Sequence, residues 1–130
     1  MNWLRILDVN LNRLTESLKL LEDITRFSLE DKKVLRKIRQ LRKTFLLAKK
    51  KMPIDDIISS RQSVKDLGRA QKFDISQRRS DSDFIYATIT RAKESARTIE
   101  EVLKLENFAM DNRIKEIRFS LYDIEKELIT

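Results

Sequence analysis

A chain of 130 residues with one glycine, Gly68, and one proline, Pro53, has almost nothing with which to turn tightly or to break a helix. What it has instead is helical periodicity. Leu4, Leu7, Leu11, Leu14, Leu18 and Leu21 recur at alternating spacings of three and four, which lines one face of a single helix. The same rhythm returns in Val34, Ile38, Leu41 and Phe45, in Ile85, Ile89, Ala92, Ala96, Ile99 and Leu103, and in Ile114, Ile117, Leu121, Ile124 and Leu128. The spacing predicts an all-α fold with four long helices.

Punctuation agrees with that reading. Asn2 is placed to cap the first helix, and Ser28 or Asp31 the second, which Pro53 brings to an end. Residues 53–83 hold the only proline, the only glycine and many serines and aspartates; they predict a short helix near 54–61 and then an irregular loop. The third long helix is predicted to start near Asp81–Asp83, and the fourth near Asp111.

The two halves resemble each other. The stretch NLNRLTESLKLLED from Asn10 aligns without gaps to TITRAKESARTIEE from Thr88, pairing Arg13 with Arg91, Glu16 with Glu94, Ser17 with Ser95 and Glu22 with Glu100. Farther along, IRQLRKTF from Ile38 aligns to IKEIRFSL from Ile114 and pairs Arg42 with Arg118. The expectation is one domain over 1–130, a four-helix bundle of two pseudo-repeated hairpins (1–52 and 84–130) joined by a connecting loop or lid at 53–83.

Composition narrows the chemistry. With no cysteine and no histidine, disulfides, thiolate nucleophiles, zinc fingers and His-based catalysis are excluded. A single glycine rules out a Walker loop and a GxGxxG turn. Bound phosphates would be held by side chains and helix N-termini, and any metal by carboxylates, as suits Mg²⁺. No apolar run is long enough to span a membrane, and MNWLRILDVN has no signal-peptide pattern, so a cytoplasmic location is expected. The net charge of +7 is uneven: residues 32–51 carry ten Lys or Arg and no acid, so the rest sums to −3. Such a run suits a solvated helix face or a polyanion.

Four arginines fall among apolar neighbours. At about 100° per residue, Arg13 shares a line with Ile6, Leu20 and Ile24, and Arg91 with Phe84, Thr98 and Val102. Arg42 is flanked by Ile38, Phe45 and Leu46, and Arg118 by Ile114, Leu121 and Tyr122. A charge in such company needs a partner. Two arrangements answer this: an internal one, in which the arginines form an interhelical network with Glu22 and Glu100, Asn10 falling within an apolar stripe, or snorkel along the bundle rim, and an anion pocket between the hairpins. Arg61, Ser63, Asp66 and Gly68 in SRQSVKDLGR fit either a lid over such a pocket or a plain connector.

Taken together, RILDVNLNRLTESLKLLEDITRF, LRKIRQLRKTF, SRQSVKDLG, TRAKESARTIEEVLKL and IRFSLYDIEKEL resemble the small all-helical hydroxymethylpyrimidine-phosphate kinase family of thiamine biosynthesis, over nearly the full chain. That family is often fused ahead of a thiamine-phosphate synthase barrel. The sequence departs from its pattern at Ser17, Lys19, Arg69 and Thr88. The resemblance implies ATP-dependent phosphoryl transfer to hydroxymethylpyrimidine phosphate, with Mg²⁺. It implies phosphate contacts from Arg13, Arg91, Arg42 and Arg118, metal binding or orientation by Glu22 and Glu100, and lid roles for Arg61, Asp66 and Gly68. Such a reaction needs no histidine, because the nucleophile is already an anionic phosphate oxygen. Two other classes remain: a non-catalytic helical partner of thiamine-phosphate synthase, and a nucleic-acid-binding bundle using residues 32–51. The last is disfavoured because Phe45 is the only aromatic in the basic run. The sequence leaves open whether the chain forms a homo-oligomer.

Overall fold

The computed structural model describes residues 1–71, 76–105 and 112–130. Among these residues five α-helices carry the fold: α1 (Trp3–Asp23), α2 (Lys32–Lys49), α3 (Ile54–Ser59), α4 (Asp81–Leu105) and α5 (Arg113–Ile129). The four long ones pack in a ring, α1 on α4, α4 on α5, α5 on α2 and α2 on α1, while α3 lies against α1. The chain is all-α, as its periodicity predicts. Among the described residues, no helix is long and apolar enough to cross a membrane.

The predicted stripes form the core. Leu7, Leu14, Leu18 and Leu21 of α1 are fully buried, in one cluster with Ile89 and Ile99 of α4, Ile38 of α2, and Ile114, Ile117, Leu121 and Ile124 of α5. Each such side chain contributes about 1.5–3 kcal/mol by leaving water. Ala92 and Ala96 are also fully buried on α4. Their small side chains let the helix approach its neighbours closely.

Caps set the boundaries. The Asn2 side chain accepts from Arg5 N at 3.1 Å. Asp31, not Ser28, caps α2, accepting from Lys33 N at 3.0 Å and Val34 N at 3.1 Å. Ser80 Oγ accepts from Asp83 N at 3.1 Å at the start of α4. The predicted start near Asp111 lies outside the described residues; α5 begins at Arg113. One feature escaped the sequence reading. Residues Ile24–Leu29 continue α1 as a π-helical segment, closed by Glu30 in the left-handed region at φ 52°, whose N–H reaches Thr25 O. The buried Thr25 hydroxyl donates to Leu21 O at 2.7 Å and ties this widened turn to α1.

The internal repeat is visible in three dimensions. Asn10 and its counterpart Thr88 are both buried, and both donate to the carbonyl four residues back, Ile6 O at 2.9 Å and Phe84 O at 2.8 Å. Ser17 and Ser95 are both buried. At the rim, Lys19 pairs with Asp23, and Arg97 with Glu101.

Arg13 does not sit on the apolar face that its spacing from Ile6, Leu20 and Ile24 predicts. Its line is not a core line: Ile6 is 39% exposed, and Arg13 itself faces solvent. The core stripe of α1 runs through Leu7, Leu11, Leu14 and Leu18, one position round. The charges truly placed on that stripe are Asp8, buried three residues before Leu11 and four after Leu4, and Glu22, buried four after Leu18.

Candidate functional site

The arginines and glutamates divide into two kinds. Glu22 is buried near the end of α1 and accepts from Arg39 Nε at 2.9 Å and from Arg42 Nη1, both on α2. Its counterpart Glu100 accepts from Arg118 Nε and, at 3.4 Å, from Arg118 Nη2. Arg118 also donates to Tyr122 Oη at 3.2 Å. The hydrogen bond to Glu100, and after it that to Tyr122, raises the Arg118 pKa. These are repeat-equivalent interhelical ion pairs, each tying the first helix of a hairpin to the second. Of the two arrangements open at sequence level, Glu22–Arg42 and Glu100–Arg118 take the internal network.

Arg13 and Glu16 are different. Both line an open cleft of about 670 Å³ between α1 and the segment after α3, along with Asn10, Arg61, Ser63 and Asp66. Neither side chain has a hydrogen bond or ion pair among the described residues. The cleft exists because Arg61 crosses to α1. Its Nε donates to Asp8 Oδ2 at 2.9 Å and its Nη2 to Asp8 Oδ1 at 2.7 Å. This fork on a buried carboxylate holds residues 61–67 over the first turns of α1 and raises the Arg61 pKa. Arg5 Nη2 donates to Gln62 O at 3.0 Å and fixes the same segment from the rim. Asp66 Oδ1 accepts from Gly68 N at 2.9 Å. Gly68 has no positive φ, and a Cβ there would meet Asp66 Oδ1 at an ordinary 3.6 Å, so only its N–H is used.

The predicted site residues are therefore not gathered in one place. Asn10, Arg13, Arg61 and Asp66 share the α1 cleft. Arg42 lines a separate groove with Thr15 and Lys49. Arg118 and Glu100 line a third cavity between α4 and α5. Arg91 is half-buried on α4, and its side chain, like that of Glu94, has no polar partner among the described residues. Asp8 was missed as a site residue. The signal was available, since a carboxylate three and four residues from core leucines needs a cation.

The carboxylates do not fit a protein-held Mg²⁺. Glu22 and Glu100 are engaged by arginines, and Asp8 by Arg61. Among the described residues no three acidic side chains cluster as a metal site. Glu16 and Asp66 are the two carboxylates of the cleft without a cation among the described residues.

The chain is similar to proteins named thiamine-phosphate synthase. It is 32% identical over 126 residues to that of Synechocystis sp., covering 96% of this chain and 36% of the relative. The Rhodopirellula baltica protein is 32% identical over 126 residues, 96% of this chain and 34% of its own length. The protein of Prochlorococcus marinus strain AS9601 is 30% identical over 128 residues, 97% of this chain and 35% of its own length. The chain thus spans about a third of these curated relatives. No solved structure matches it. The model of the ThiD2 family matches residues 5–127, and the chain belongs to that family.

Proposed function

We propose that this protein acts in thiamine biosynthesis as a kinase, moving the γ-phosphoryl group of ATP onto hydroxymethylpyrimidine phosphate to give the diphosphate. The observation that carries the reading is the α1 cleft. It is large enough for a phosphorylated heterocycle and presents a guanidinium, Arg13, that no carboxylate among the described residues occupies. In the reaction a phosphate oxygen of the acceptor attacks the γ-phosphorus. The bond from that phosphorus to the β,γ-bridging oxygen breaks, and ADP leaves. The nucleophile is already anionic, so the protein contributes position and positive charge rather than a base.

Arg13 grips the acceptor phosphate in this scheme. Glu16, which would repel an anion, faces the amino-bearing ring. Asp8 and Arg61 are positioning residues that hold the cleft wall, and Asn10 lines the floor. The repeat extends the phosphate-binding role to Arg91, which is uncommitted in the same way. Arg42, Arg118, Glu22 and Glu100 hold the hairpins together.

The test is transfer of labelled γ-phosphate from ATP to hydroxymethylpyrimidine phosphate by the purified chain. Arg13→Gln should keep the helical circular-dichroism signal and lose about 100-fold in kcat/KM, the scale of one lost charge-stabilising contact. Undiminished activity in that variant would remove Arg13 from the site. The length relation to proteins named thiamine-phosphate synthase favours one second reading, a helical partner without chemistry of its own. It predicts no transfer by the isolated chain, together with binding to a separate thiamine-phosphate synthase.

A further inference from the structure

The two hairpins are not equivalent where their ion pairs sit, and the difference leaves a cavity. In hairpin one the buried carboxylate of Glu22 takes two arginines of α2, Arg39 and Arg42. The repeat places Lys115 where Arg39 stands and Arg118 where Arg42 stands. In hairpin two, among the described residues, only Arg118 hydrogen-bonds Glu100. Lys115 makes no ion pair among the described residues; its ammonium lies 6.0 Å from the Phe119 ring centroid. It is a cation released from the carboxylate that its counterpart serves.

Lys115 lines a recessed cavity of about 230 Å³ between the end of α4 and the start of α5. Arg97, Lys104 and Arg118 line it too, so four cations face one carboxylate, Glu100, among its eight lining residues. Arg97 and Lys104 each pair with Glu101, outside the lining, at 3.3 and 3.0 Å. Those three side chains are about half exposed, so the pairs contribute little and an incoming anion displaces them at small cost. Arg118, 13% exposed and locked by Glu100, is a fixed wall rather than a movable ligand. The volume suits one phosphate or diphosphate group and is too small for a whole nucleotide.

We infer that this cavity is a second anion site, which takes the phosphate or diphosphate group of a small molecule on Lys115, Lys104 and Arg97. It is separate from the α1 cleft and does not depend on the reaction proposed there. The decisive cation is Lys115, because it alone among the three has no carboxylate partner.

The test uses the full chain and inorganic pyrophosphate, without ATP or turnover. Pyrophosphate is titrated by calorimetry, and by backbone amide NMR to locate the contact. The expected result is saturable binding with shifts concentrated at residues 97–104 and 112–118. Lys115→Gln should weaken it at least tenfold with an unchanged melting temperature. Lys43→Gln, on α2 and outside the cavity, should leave it unaltered. The inference is overturned if shifts concentrate at residues 5–16 and 61–67, or if Lys115→Gln binds as well as the parent chain. Equal losses in Lys115→Gln and Lys43→Gln would also overturn it, as they would mark general attraction to a basic protein. Failure of kinase assays would leave this result untouched.

Discussion

Removing repeat-equivalent arginines should cost unequal amounts. In Arg118→Met the methionine keeps much of the stem's apolar contact, but Glu100, 11% exposed, loses the one cation that hydrogen-bonds it among the described residues. Arg97 is left at 4.0 Å. Breaking a fully buried pair costs about 3–5 kcal/mol. The open cavity beside Glu100 admits some water, which lowers the expectation to about 2–3 kcal/mol. In Arg42→Met, Glu22 keeps Arg39 at 2.9 Å, and Arg42 is itself 39% exposed, so the cost should be about 1 kcal/mol. At this chain length each kcal/mol lowers Tm by about 4 °C. The two variants should therefore separate by about 4–8 °C. Urea unfolding followed at 222 nm gives both free energies, with unchanged m values. Adding Glu100→Gln to Arg118→Met removes the stranded charge and should recover part of the loss. Equal costs for the two single variants, or a double variant no more stable than Arg118→Met, would refute the claim that a stranded carboxylate sets the cost.

Three other outcomes are expected. Arg61→Ala should free residues 61–67 from α1, seen as faster amide exchange there and new cleavage after Lys65 in limited trypsin digestion, with exchange in α4 unchanged. Glu30→Gly should raise stability by about 1 kcal/mol, because the left-handed φ of 52° costs a side-chain-bearing residue and suits glycine; calorimetric Tm measures it. Gly68→Ala should be nearly neutral in stability and in any cleft activity, since neither φ nor space demands glycine there.

The cleft also separates two uses of a guanidinium that look alike in sequence. Arg42 and Arg13 both stand near apolar residues, yet one is bound to Glu22 and the other faces an open cleft. A helical line seven and eleven residues long reports which side chains share a face. It does not report whether that face is packed. Ile6 marks the Arg13 line as the edge of the solvent side, where an arginine costs nothing to place.

The sequence by itself determined the local part of this protein. Helix-forming periodicity, the cap at Asn2, the leucine stripe of α1 and the likeness of the two halves are all set by neighbours within a few residues, or by comparison of one stretch with another. Tertiary structure decided the partners. Arg61 reaches Asp8 across 53 positions, Arg42 reaches Glu22 across 20, and Lys115 is left without the carboxylate that its counterpart holds. Periodicity fixes only the angle of a side chain about its own helix, whereas an ion pair forms or fails by the distance and desolvation between two helices.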